Sequence, residues 1–138
     1  MSSFDLKWMV GRSISQVSLT DPDYWLFQFA TGGIISAQCH WRILDHGHIA
    51  VSNDDHKQQF GLPEPIDAAE VASGLLSPLS VRDVEVREGT ADLLISFTQD
   101  KLLQIIPFSS GYESWQIRDP FGTCIVAQGG GQLSSWKS

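Results

Sequence analysis

Residues 111–133 read "GYESWQIRDPFGTCIVAQGGGQL" and residues 40–62 read "HWRILDHGHIAVSNDDHKQQFGL". Each contains a tryptophan that heads an alternating apolar segment, Trp115-x-Ile117 in one and Trp41-x-Ile43 in the other. Each then meets turn-forming residues, Asp119-Pro120-Phe121-Gly122 or Asp45-His46-Gly47, and returns through a β-branched run. Period-two apolar residues either side of Asp, Pro and Gly are the pattern of a β-hairpin. The same hairpin is therefore expected twice.

Further pairs appear on moving outward. Ile14 and Val81 stand 67 residues apart, Phe29 and Phe97 68, Trp41 and Trp115 74, and Val51 and Val126 75. The offset drifts between apolar blocks rather than within them. Loops tolerate insertions, whereas a slip inside a strand turns its core face outward. The expected fold class is α+β, mostly β: two repeated antiparallel β-meanders, a pseudo-two-fold duplication, with one connecting helix near 67–76. The chain reads as a single domain over 1–138, with the first meander at 11–62, the helical connection at 63–78 and the second meander at 79–138.

Period-two spacing places Trp25, Phe27 and Phe29 on one buried face and Leu93, Ile95 and Phe97 on another, while "DVEVRE" alternates as a half-buried strand. Other turns are expected at Asp21-Pro22-Asp23, Thr31-Gly32-Gly33 and Gln99-Asp100-Lys101. Asp67 is placed to cap the helix with Glu70 three residues on, Ile66 and Val71 sit at staple positions, and Ser77-Pro78 stops it near Leu76. Val71 and Leu75, one turn apart, are expected to lie on the sheet.

The 138 residues are 42% hydrophobic and 18% charged, enough to bury a core without disulfides or metal. The net charge of −7 is scattered, which argues against nucleic acid and anionic membranes as partners, because phosphate recognition needs clustered Lys and Arg. No apolar run approaches the roughly 20 residues of a spanning helix. The opening "MSSFDLKWMV" is too short and mixed for a signal segment, so a cytoplasmic location with Cys39 and Cys124 reduced is expected.

Chemistry-bearing residues are sparse. Gly129–Gly131 lack the lysine of a phosphate loop and read as a flexible or tightly turning exit. Because the first half has no such glycines, they read as not needed by the fold. His40, His46, His48 and His56 cluster among Asp45, Asp54 and Asp55 but show no ligand spacing, so no metal site is assigned. Glu113, flanked by Tyr112 and Trp115, has no second group for acid–base work; if 112–117 is a strand, Glu113 and Trp115 share one face. No Gly-x-Ser-x-Gly elbow or reactive cysteine motif is present. No catalytic residue and no cofactor are assigned, and the chain is read as a non-enzyme.

Residues 79–136 resemble a family of small uncharacterised bacterial domains in which a Tyr-Glu-Ala-Trp-like motif is followed by a Gly-rich, Trp-ended tail. The matching residues are Tyr112, Glu113, Trp115, the glycines and Trp136; Ser114 and Gln128 depart from the pattern. Some small acidic bacterial domains of this kind are similar to immunity proteins, which bind and block a toxin. The resemblance thus implies a protein-interaction role, with Tyr112, Glu113 and Trp115 as site residues. A homodimer through edge or face pairing is a subsidiary expectation. The alternative is a small-ligand domain with Trp41, Trp115 and Glu113 lining a pocket between the repeats.

Overall fold

The computed structural model describes residues 5–20 and 23–137, so Asp21 and Pro22 of the expected first turn lie outside the described residues. The strands are β1 (Ile14–Thr20), β2 (Tyr24–Phe29), β3 (Ile34–Ala37), β4 (His40–Asp45), β5 (His48–Ser52), β6 (Val81–Val86), β7 (Leu93–Phe97), β8 (Lys101–Ile106), β9 (Trp115–Arg118), β10 (Thr123–Ala127) and β11 (Leu133–Lys137). One α-helix, α1 (Ala68–Leu76), is described between β5 and β6. The fold is α+β and mostly β, as expected.

The strands form two antiparallel sheets, ordered β1-β2-β3-β9-β10-β11 and β5-β4-β8-β7-β6. Neither half is one continuous meander. The first half places β1–β3 in the six-stranded sheet and sends β4 and β5 to the other. The second half places β6–β8 in the five-stranded sheet and sends β9 and β10 back. The sheets are thus joined by a reciprocal exchange, with β3 pairing β9 and β8 pairing β4.

The pairings of one half recur in the other. Ile14 faces Phe29 and Val81 faces Phe97, and a register shift follows in both, at Ile14/Gln16 and Val81/Asp83. Ile35 faces Ile117 across one exchange, and Leu103 faces Ile43 across the other. The turns entering the halves also match, with Arg12 N–H donating to Met9 O at 2.9 Å and Leu79 N–H to Leu76 O at 3.0 Å. One pairing read from sequence needs correction. Val51 faces Ile43 and Ile125 faces Ile117, so Val51 corresponds to Ile125 rather than Val126. That one-residue difference changes the face: Ile125 joins the core cluster and Val126 does not.

The core lies between the sheets. Trp25, Phe27 and Phe29 are buried there, as are Leu93, Ile95 and Phe97, Trp41 with Ile43, and Leu103 with Ile105. Complete burial of a side chain such as Phe27 or Ile43 stabilises by about 1.5–3 kcal/mol. Trp41 meets Phe27 and Trp25 edge to face, with ring centroids 5.5 and 5.0 Å apart.

Asp67 caps α1 by accepting from Glu70 N–H at 3.2 Å. The face turned to the core is Ala68, Ala72 and Leu76, each four residues from the last. Leu75 packs at its margin, but Val71 is exposed, contrary to the expectation that both lie on the sheet. Small alanines let the helix approach β1 closely. There the Ser73 hydroxyl accepts from Val17 N–H (2.8 Å) and donates to Val17 O (3.2 Å). A sheet edge that would otherwise offer free main-chain groups is thereby covered. No described helix is long and apolar enough to cross a membrane.

Candidate binding groove at the strand exchange

The chain passes between sheets at two places, through Gln38 and Cys39 and across residues 107–114. Antiparallel pairing on either side holds these crossings together: Ala37 faces Trp115, His40 faces Ile106, and Gln38 N–H donates to Ser114 O at 2.8 Å. Beside them opens a cavity of about 680 Å³ whose lining includes Asp23, Trp25, His40, Phe108, Tyr112 and Glu113.

The 107–114 connection is shaped locally by Ser109. Its Oγ accepts from the amides of Gly111 (3.0 Å) and Tyr112 (2.9 Å), a side-chain-closed turn that lifts Tyr112 away from the core. Tyr112 is 81% exposed and Phe108 78%. The Phe108 ring is met at 4.8 Å by the imidazole of His40, whose Nδ1 lies 3.8 Å from Asp54 Oδ1. Asn53, also on the cavity wall, accepts from Trp41 N–H at 2.8 Å and so fixes the start of β4. The Ser52–Asp55 capping box holds Asn53 in position.

Among the described residues, two carboxylates, Asp23 and Glu113, belong to the lining, and no Lys or Arg does. Cys39 also reaches the lining, but burial is the largest influence on its thiol and pushes it up to about 12. It is therefore a thiol, not a thiolate, at neutral pH.

The residues singled out from sequence separate into two groups. Tyr112 and Glu113 stand together on the groove, whereas Trp41 and Trp115 are core residues at 1% and 2% exposure. The reading of Trp41 and Trp115 as pocket walls is therefore corrected: an aromatic at period two suits a sheet interior as well as a pocket. Residues 112–114 precede β9 instead of belonging to it, so Glu113 and Trp115 do not share a strand face.

The histidines do not converge. His40 borders the groove, His46 occupies a turn at φ 51°, and His48 begins β5. His56 stacks edge-on to Trp25 at 5.4 Å, and its Nδ1 accepts from Ala68 N–H at the start of α1. Among the described residues, no group of three or more His, Cys, Asp or Glu side chains is placed to hold a metal. Asp45 instead binds His46 at 2.6 Å and Lys101 at 3.2 Å, contacts that hold its carboxyl below the usual range.

Gly129 and Gly131 are required by the packing, contrary to the sequence reading. A Cβ at Gly129 would stand 2.5 Å from the Gly111 backbone, and one at Gly131 would collide with Gly89 O. Gly130 and Gly131 also hold φ of 75° and 79°, the left-handed region that glycine occupies without strain. The segment turns tightly into β11, which adds to the sheet beside β10. The first half describes no equivalent of β11.

Sequence reasoning missed Phe108, His40 and Asp23 as groove residues and assigned Trp25 to the core alone. Phe108 follows Pro107 in a non-periodic connection, which was the available signal for an exposed aromatic. No family model matches the chain, and neither a curated protein nor a solved structure matches it.

Proposed function

We propose that this chain is a non-catalytic protein-interaction domain of the bacterial cytoplasm and that it seats its partner in the groove at the strand exchange. The observation that carries the reading is the pair Phe108 and Tyr112, two large aromatic rings mostly in solvent on one short connection beside a concave surface. Aromatics presented next to a cavity are the side chains that anchor protein interfaces. The specific form proposed is an immunity-type antidote, which needs only to occlude a toxin and no reactive group of its own. Capture from the native lysate tests the reading. The wild-type chain should retain a stoichiometric partner that the Phe108→Ala/Tyr112→Ala variant loses; equal retention by both would overturn it.

A small-ligand role is the second reading, favoured by the size of the cavity. Its volume of about 680 Å³ falls within the range of small-molecule sites. Tryptophan fluorescence, with Trp25 on the cavity wall, should then respond saturably to a metabolite of the native extract. A response unchanged by Tyr112→Ala would count against it.

A further inference from the structure

We infer that the groove seats a cationic side chain, arginine or lysine, carried by an extended segment of the partner protein. This rests on the protein-interaction reading and specifies the chemistry of its partner. The groove presents Asp23 and Glu113, and among its described lining residues His40 is the one basic side chain, with no Lys or Arg to neutralise them. It also presents the rings of Trp25, Phe108 and Tyr112. Carboxylates beside aromatic rings are complementary to a guanidinium or ammonium group, through charge and through the ring quadrupole together. The chain's net charge of −7 adds a long-range attraction for such a partner and disfavours an acidic one.

An independent observation places an opening at this position. Trp41 and Trp115 are register-equivalent, since they face Ile105 and Ala37 in the two exchanged pairings. Trp115 Nε1 donates to Ala91 O at 2.8 Å. Trp41 Nε1 is buried with no hydrogen-bond partner among the described residues. The residue in the place of Ala91 is Asp23, because Trp25 faces Ala37 as Leu93 faces Ile105. Ala91 is fully buried, whereas Asp23 is exposed on the groove wall. Where the second half folds its loop inward and satisfies its indole, the first half leaves, among the described residues, both an unsatisfied indole and an open surface.

Titration of the full chain with blocked tetra-arginine and tetra-glutamate peptides, followed by tryptophan fluorescence, tests the inference. Tetra-arginine should bind, and Glu113→Gln, Asp23→Asn and Tyr112→Ala should each weaken it about three- to tenfold. Glu85→Gln on β6, outside the groove, should leave it unchanged. Unfolding curves matching the wild type establish that each variant folds. Equal binding of tetra-glutamate overturns the inference, as does tetra-arginine binding that ignores all three groove variants. A dimer in light scattering that Tyr112→Ala dissolves would mean that a second copy occupies the groove, and also overturns it. If tetra-arginine fails in this way while the lysate partner is still lost on Phe108→Ala/Tyr112→Ala, only the cationic inference falls. If the partner ignores that double variant, the protein-interaction reading itself falls.

Discussion

The two ends of the strand exchange begin from equivalent residues and finish differently. At the second-half end, the β6–β7 loop turns Ala91 inward over Trp115, and Gly129–Gly131 close against Gly111 and Gly89 before β11 extends the sheet. At the first-half end, Trp41 lies under Trp25, and among the described residues its indole N–H has no acceptor and the surface above is open. Matching strand pairings supply corresponding positions, and short unequal segments decide which is sealed and which is left accessible. The sealed end carries close main-chain approaches at Gly129 and Gly131; the open end carries the exposed rings of Phe108 and Tyr112.

The largest effect should come from forcing the sealed end open. Gly131→Val places a side chain against Gly89 O at a positive φ and should cost about 3 kcal/mol or more in urea unfolding. Gly47→Ala, also at positive φ but with nothing within 4 Å, should cost only about 1 kcal/mol. Equal costs would show that backbone conformation, not close approach, is what the glycines supply.

Next in size is the contrast between the equivalent tryptophans. Trp115→Phe strands the buried Ala91 carbonyl, whereas Trp41→Phe removes an N–H that already lacks a partner. Trp115→Phe should therefore be more destabilising than Trp41→Phe by about 1–2 kcal/mol, measured by chemical denaturation. The reverse order would contradict the difference between the two ends.

Smaller again is the edge of β1. Ser73→Ala removes two hydrogen bonds to Val17 and should cost about 1–2 kcal/mol in thermal unfolding. The corresponding edge at β6 is held by the main chain, with Gly11 N–H donating to Val81 O and Val81 N–H to Arg12 O, so no single side-chain deletion should reproduce that loss.

The smallest effect concerns Asp45. Its folded-state carboxyl is held low by His46 and Lys101, so its contribution is present above the unfolded carboxylate range and is lost as pH falls through the folded value. Asp45→Asn should be slightly less stable than wild type at neutral pH and indistinguishable from it in strong acid. A difference that grows on acidification would contradict this assignment.

Much of the fold was legible because it rests on local pattern. Trp25-x-Phe27-x-Phe29 and Leu93-x-Ile95-x-Phe97 set their buried faces by alternation, and Asp67 marked the start of α1. The exchange of strands between sheets was not legible, since a hairpin's pattern fixes its own pairing and not the sheet it joins. Val71 was misplaced because its one-turn spacing from Leu75 suggested a shared buried face, whereas the face turned to the core is Ala68, Ala72 and Leu76. For the groove, Tyr112 and Glu113 were found by their company of aromatics. Phe108 and Asp23 were missed because only the crossing of two distant connections brings them to one surface. The need for Gly129 and Gly131 was hidden for the same reason: Gly111 and Gly89 are their neighbours in space alone.

Hydrogen–deuterium exchange on the chain with and without its captured partner tests the central claim most directly. Binding at the open end predicts new protection at residues 38–40 and 107–114, with no change at residues 128–133. Protection confined to 128–133, or to the outer faces of the sheets, would contradict it.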